Sequence, residues 1–299
     1  MRLFWMRLAV ALAAVAVSIS HVAWASEQRT VTEGGRERTY LVHRSAKLDA
    51  SRPVALVVML HGGFGTGQQA EAAYHWDEQA DREGFVVVYP DGFRRSWNGG
   101  GMCCGPALNN DVDDVTFLDR MIAAVVAAEH IDPHRIYLTG MSNGAVMSYR
   151  YACEGRVKVA AIGPVSGTLT SACARPQKVS VLAIHGQVDQ NIPIQGGQGT
   201  KGVTKGAWPP VAQTISLFRN ADQCVSPTIN AEGAVHHAQA ACPDGRDVDL
   251  ITIDDAGHQW PGGAGRSGPI ARMMGIDPPS EALDATSTLW RFFRDHPAK

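Results

Sequence analysis

The pentapeptide Gly140-Met141-Ser142-Asn143-Gly144 sets a serine between two glycines. A hydroxyl is a weak nucleophile until the backbone exposes it and a base takes its proton. A sharp turn from strand into helix meets the first need. Glycines on either side let the chain close, and amide N–H groups at the helix start face negative charge as it develops. Here the apolar run Ile136 to Thr139 precedes the motif and the helix-forming stretch Asn143 to Cys153 follows it. The chemistry that such a serine supports is acyl transfer.

A base and an orienting carboxylate must then follow from later strand ends, in the chain order serine, acid, histidine. The run Val179 to Ile184 leads into His185-Gly186-Gln187-Val188-Asp189, and Val248 to Ile253 leads into Asp254-Asp255-Ala256-Gly257-His258. Asp189 is the candidate acid and His258 the candidate base. Asp254 and Asp255 lie nearer to His258 in sequence, but a carboxylate on the histidine's own strand end competes for the same space. His185 ends the strand whose loop supplies the acid, so it is expected to pack or hydrogen-bond beneath the site. His43, His75, His236 and His237 lack strand-end context and are expected at the surface. For the oxyanion, Val54 to Leu60 leads into His61-Gly62-Gly63-Phe64-Gly65. The Gly63 amide, or that of Phe64, would act with the amide of Asn143. The glycines do not form a phosphate loop, because no G-x-x-x-x-G-K-[ST] sequence is present.

The elements that must carry these residues alternate. Unbroken apolar runs at Val54 to Leu60, Phe85 to Tyr89, Ile136 to Thr139, Val179 to Ile184 and Val248 to Ile253 read as strands buried on both faces. Helical stretches fall between them: Ala70 to Glu83, Val115 to His130 capped by Asp113 or Asp114, Asn143 to Cys153, and Ala282 to Phe293. Arg29 to Arg44 reads as an edge hairpin. The pattern predicts one α/β domain with a mainly parallel central sheet and helices on both faces. Ser96 to Asn110 and Gln190 to Pro210 fit no element, and irregular segments of that length tend to be functional.

The chain has 299 residues, 45% hydrophobic and 19% charged, with a formal net charge of -2. No single-sign block argues for nucleic acid or an anionic membrane as partner. Arg2 and Arg7, the apolar Leu8 to Ile19 and the small residues of Ala23-Trp24-Ala25 form a secretory signal over residues 1–25, leaving 26–299 as the catalytic domain. The competing reading is an uncleaved anchor, for which the apolar run is short. A secreted or periplasmic location, with no membrane contact after cleavage, makes disulfides the expectation for the six cysteines. Cys224 with Cys242 and Cys153 with Cys173 would each close a local loop. That leaves Cys103 and Cys104 paired together or exchanged with one of the others. A zinc site is the rival, but no C-x-x-C pair exists.

These residues resemble secreted esterases of the polyhydroxybutyrate depolymerase and feruloyl or acetylxylan esterase kind. The carriers are HGG at His61 to Gly63, YPDG at Tyr89 to Gly92, and Trp97-Asn98 followed by Cys103-Cys104. They continue with DVDDVTFL at Asp111 to Leu118, GMSNGA at Gly140 to Ala145, HGQVDQNIP at His185 to Pro193, GHQWPGG at Gly257 to Gly263, and LWRFF near the end. The resemblance implies an α/β-hydrolase with no metal or organic cofactor, and it puts Ser142, Asp189 and His258 on the family's catalytic positions. Gly63 stands where many members carry Cys, which leaves a backbone donor intact. No separate polymer-binding domain follows the catalytic part, unlike many extracellular depolymerases, which weakens the expectation of attack on an insoluble polymer. Trp97, Trp208 and Trp260 are candidates for the substrate wall, with burial as the competing reading, and Trp290 reads as core. The expected function is an exported serine carboxylesterase cleaving, through an acyl-enzyme, short hydroxyalkanoate oligomers or polyhydroxybutyrate, or feruloyl or acetyl esters of plant polysaccharides. A serine peptidase on the same fold and a catalytically silent binding protein are the alternatives.

Overall fold

In the computed structural model, which describes residues 26–49, 51–202, 204, 206–265 and 277–299, the apolar runs become strands whose alternate residues serve two different cores. The expected leader, 1–25, lies outside the described residues. The chain runs β1 (Glu27–Glu33), β2 (Arg36–Arg44), β3 (Val54–Leu60), α1 (Gly67–Tyr74), α2 (Trp76–Glu83), β4 (Val86–Pro90), α3 (Gly105–Asn109), α4 (Asp114–Ala128), β5 (Ile131–Met141) and α5 (Asn143–Glu154). It continues with β6 (Ala161–Val165), β7 (Ser180–Gly186), the two-residue strands β8 (Gly197–Gln198) and β9 (Ala207–Trp208), α6 (Val211–Ala221), β10 (Thr228–Glu232), β11 (Val235–Gln239), β12 (Val248–Ile253) and α7 (Ala285–Asp295).

One sheet takes the order β1-β2-β4-β3-β5-β6-β7-β12-β11-β10. From β4 to β12 all neighbours are parallel, and the hairpins β1-β2 and β10-β11 add antiparallel edges. The chain passes from β3 outward to β4, then crosses back to β5. The order reverses between β3 and β5, so the connections leaving their carboxyl ends diverge and open a crevice there. Along β3, Leu56, Val58 and Leu60 pack with Phe117 and Met121 of α4 and Phe218 of α6. Ala55, Val57 and Met59 face Trp76 of α2 and Trp290 and Phe293 of α7. This period of two explains why the strands read as continuous apolar runs.

The structure departs from the sequence reading at several elements. Ala70 to Glu83 is two helices, because His75 turns left-handed with φ 57°. Residues two apart on a continuous helix face opposite sides. The break lets Tyr74 stack on Trp260 while Trp76 packs against Phe85 and Phe293. Strand β6, Ala-Ile-Gly-Pro-Val, was hidden by its glycine and proline; a Cβ on Gly163 would collide with Leu289 and Phe293. The hairpin β10-β11 carries no apolar alternation because β10 is exposed along its length. Helix α6 starts directly after Trp208-Pro209-Pro210 and buries Val211, Thr214, Ile215 and Phe218. Asp113, not Asp114, caps α4 by accepting from the Thr116 amide at 2.9 Å.

The three disulfides are Cys103–Cys104, Cys153–Cys173 and Cys224–Cys242, and the peptide between Cys103 and Cys104 is cis. Among the described residues no helix is long and apolar enough to cross a membrane. His43, expected at the surface, is buried. It lies 3.3 Å from Asp77 and 3.1 Å from Asp81, because β2 is covered by α2 rather than open to solvent.

Beneath α2, the Tyr89 hydroxyl donates to Asp77 at 2.5 Å. Burial pushes the Asp77 carboxyl up to about 6 from its ordinary 3.8, against the opposing pull of Tyr89 and His43. A raised carboxyl favours the folded state below its unfolded value and loses that advantage as pH climbs from about 4 through about 6. Asp77→Asn keeps an acceptor for Tyr89 and removes the charge. Thermal unfolding compared at about pH 4.5 and about pH 7.5 is expected to show the variant gaining on wild type with rising pH, by on the order of 2 kcal/mol. An equal or opposite difference at the two pH values would refute the assignment.

Candidate active site

Strand β5 ends at Met141, α5 begins at Asn143, and Ser142 occupies the turn between them with φ 55° and ψ −117°. A residue with a Cβ is costly there, on the order of 1–3 kcal/mol. The close approach behind it requires the flanking glycines. A Cβ on Gly140 would meet the Gly144 backbone, and one on Gly144 would run into the carbonyls of Leu60 and His61 at the end of β3. The Ser142 amide donates to the Val165 carbonyl of β6 at 2.9 Å, which ties the turn to the next strand.

The three residues singled out by their order in the chain meet at this turn. His258 Nε2 lies 2.7 Å from Ser142 Oγ, and His258 Nδ1 lies 2.7 Å from Asp189 Oδ2. The other carboxylate oxygen of Asp189 accepts from the amides of Asn191 and Ile192 at 2.8 and 2.9 Å. Burial opposes ionisation of Asp189, but His258, His185 and the Ile192 amide outweigh it, and its carboxyl lies below the ordinary value. His185 packs beneath the site as expected. Its Nε2 donates to the Ile192 carbonyl at 2.8 Å, and burial lowers its pKa, so it stays neutral. Asp254 does not compete for His258; it pairs with His236 at 3.0 Å.

Below the crevice, a network holds the HGG loop. His61 Nε2 accepts from the Gly92 amide at 2.9 Å, while its Nδ1–H points at the Gly62 carbonyl at 2.7 Å. The Phe64 amide donates to the Arg95 carbonyl at 2.8 Å. That leaves Gly63 as the amide of the pair considered that has no hydrogen-bond partner among the described residues, and it lines the same cavity as Ser142 and Asn143. The Asn143 side chain grips the Trp97 backbone from both sides, accepting its N–H at 2.7 Å and donating to its carbonyl at 2.9 Å.

The cavity measures about 510 Å³. Trp208 lines it, whereas Trp97 and Trp260 do not. Trp97 is 0% exposed, donates its indole N–H to the His61 carbonyl at 2.9 Å and stacks on Phe117. Trp260 is buried against Tyr74 and donates to Thr286 at 3.0 Å. Both are struts beneath the site. Among the described residues the indole N–H of Trp208 and Oδ1 of Asn191 are buried without a hydrogen-bond partner, and both residues line the cavity. Polar groups in that condition are costly unless a substrate meets them.

Several supporting residues escaped the sequence reading. Asp277 accepts the His258 amide at 2.9 Å and pairs with Lys201 at 2.7 Å, linking the Gln190 to Pro210 segment to the histidine loop. Asp114, in ion-pair contact with Arg38 at 2.7 Å, accepts the Asn98 amide at 2.7 Å and so fixes the Trp97 loop. Burial raises its carboxyl despite the arginine. Asp91 accepts from the Gly67 amide and the Thr39 hydroxyl at the start of α1. The side chain of Phe64, half exposed, also lines the cavity. Asp91, Asp114, Phe64 and Lys201 sat within stretches already marked; nothing local marks Asp277. Among the described residues no group of three His, Cys, Asp or Glu could hold a metal ion.

Comparison with known proteins identifies the family. The profile of the family described as esterase PHB depolymerase matches residues 39–190, half of the chain. NocK of Nocardia uniformis subsp. tsuyamanensis, a protein assigned as an esterase, is 31% identical over 261 residues, covering 79% of this chain and 74% of NocK. An Aspergillus terreus protein assigned as feruloyl esterase C is 29% identical over 190 residues, covering 60% of this chain and 66% of that protein. Among solved structures, the acetyl xylan esterase from Aspergillus awamori superposes with a TM-score of 0.59 at 15% identity, over 78% of this chain and 94% of that one, a likeness of fold. The fold is that of α/β-hydrolase esterases, and the chain belongs to the esterase PHB depolymerase family.

Proposed function

We propose that this protein is an exported serine carboxylesterase that works through an acyl-enzyme. The observation that carries the reading is the unbroken relay from Ser142 Oγ through His258 to Asp189, both links at 2.7 Å. Ser142 Oγ bonds to the ester carbonyl carbon while His258 Nε2 takes its proton. Asp189, ionised and held by two amides, keeps Nδ1 protonated and stabilises the imidazolium. The Gly63 and Asn143 amides meet the oxyanion, each contributing about 3–4 kcal/mol to the transition state. The carbon–oxygen bond to the alcohol breaks, and the alcohol leaves with the proton from His258. Water then attacks the acyl-enzyme, with His258 again the base, and releases the acid and free Ser142. The substrates are esters of short hydroxyalkanoates, or feruloyl or acetyl esters of plant polysaccharides. Relatives assigned as feruloyl esterase or acetylxylan esterase support the second group. The signal-like sequence of residues 1–25 and three disulfides support export.

Fluorophosphonate labelling tests the nucleophile. Ser142→Ala is expected to abolish it, whereas Ser148→Ala, inside α5 and bonded to the Gly144 carbonyl, keeps it; labelling of Ser142→Ala would end the proposal. Asp189→Asn is expected to lower kcat about 10⁴-fold by releasing the wrong tautomer of His258, so activity near wild type would remove Asp189 from the relay. Ethyl ferulate and a soluble 3-hydroxybutyrate oligomer, run against a Ser142→Ala blank, separate the substrate groups. Cleavage of neither, with a p-nitrophenyl ester still hydrolysed, would overturn both while leaving the chemistry.

A further inference from the structure

The protein carries a net charge of -2, yet the cavity around Ser142 is cationic. Arg94, Arg95 and Lys201 line it, and no carboxylate appears among the described lining residues. Lys201 is neutralised by Asp277 at 2.7 Å. Neither Arg94 nor Arg95 has a carboxylate partner among the described residues. Arg94 instead lies over the Phe93 ring at 5.4 Å, whose other neighbour is Arg36 at 5.2 Å. Phe93 therefore gathers two guanidinium groups.

The backbone there is unusual. Arg94 and Arg95 are consecutive and both left-handed, with φ of 46° and 64°. That region disfavours any residue with a Cβ, and a run of two is uncommon. The same turn is bolted to the HGG loop, because the Arg95 carbonyl accepts the Phe64 amide at 2.8 Å. The turn thus displays two uncompensated cations one hydrogen bond away from the loop that supplies the Gly63 amide. Guanidinium groups suit carboxylates, which they meet through paired N–H donors.

We propose that Arg94 and Arg95 form a carboxylate-binding subsite at the mouth of the cavity, and that the preferred esters bear a free carboxylate, as a short hydroxyalkanoate oligomer does at its end. The proposal rests on the reading of this cavity as the ester site and names the substrate class within it.

The test compares kcat/KM for a 3-hydroxybutyrate trimer with that for its terminal carboxamide, which has the same shape and ester bonds without the charge. Wild type is expected to prefer the acid about tenfold at low ionic strength, and the preference should shrink as salt screens it. Arg94→Asn together with Arg95→Asn is expected to bring the ratio to within about twofold of unity; asparagine tolerates the left-handed turn. The ratio is internal to each protein, so any loss of folded variant cancels from it. Equal kcat/KM for acid and carboxamide in wild type, or a preference that survives in the double variant, overturns the subsite. Failure of wild type to cleave either above a Ser142→Ala blank overturns the ester reading beneath it, a separate outcome.

Discussion

The turn at Ser142 constrains everything around it. A left-handed, side-chain-bearing residue persists only where its surroundings over-determine it, and here three elements do so. Helix α5 presses Gly144 against the end of β3, β6 accepts the Ser142 amide, and the Asn143 side chain clasps the Trp97 backbone. The crevice between β3 and β5 exists because the chain reverses its direction of travel across the sheet there. Topology thus supplies the opening, and the turn points one hydroxyl into it.

The electrostatics follow a single economy. Asp189 is buried, so its charge survives only by accepting two amides and facing His258. His185, beside it at 3.5 Å, is kept neutral by its own burial, and its ring N–H is taken up by the Ile192 carbonyl. A second cation in that position would compete with His258 for the carboxylate. The neutral ring fills the space and leaves the negative charge directed at one partner.

The order of serine, acid and histidine was legible because each follows a strongly apolar strand, and burial on both faces writes such strands plainly. The parts that escaped fall where the physics is not local. Gly163 and Pro164 hid β6 because a close-packed strand dispenses with side chains where α7 approaches. Trp97 and Trp260 sit in loops by sequence, yet are buried by contacts with Phe117 and Tyr74, residues distant along the chain. Asp277 reaches His258 from beyond an intervening segment, with no spacing rule to foretell it. The cationic turn was equally silent, since the left-handed pair at Arg94 and Arg95 has no glycine to announce it.

The order of the strands in the sheet is not the order of their synthesis. Ser142 emerges with β5, near the middle of the chain, whereas His258 arrives only after β12, which must find its place beside β7. The carboxylate that holds the His258 amide comes later still. A growing chain therefore carries this hydroxyl ahead of His258 for more than a third of its length. In the proposed mechanism the serine gains its base only when β12 docks beside β7, so ester cleavage there waits on the last parallel strand.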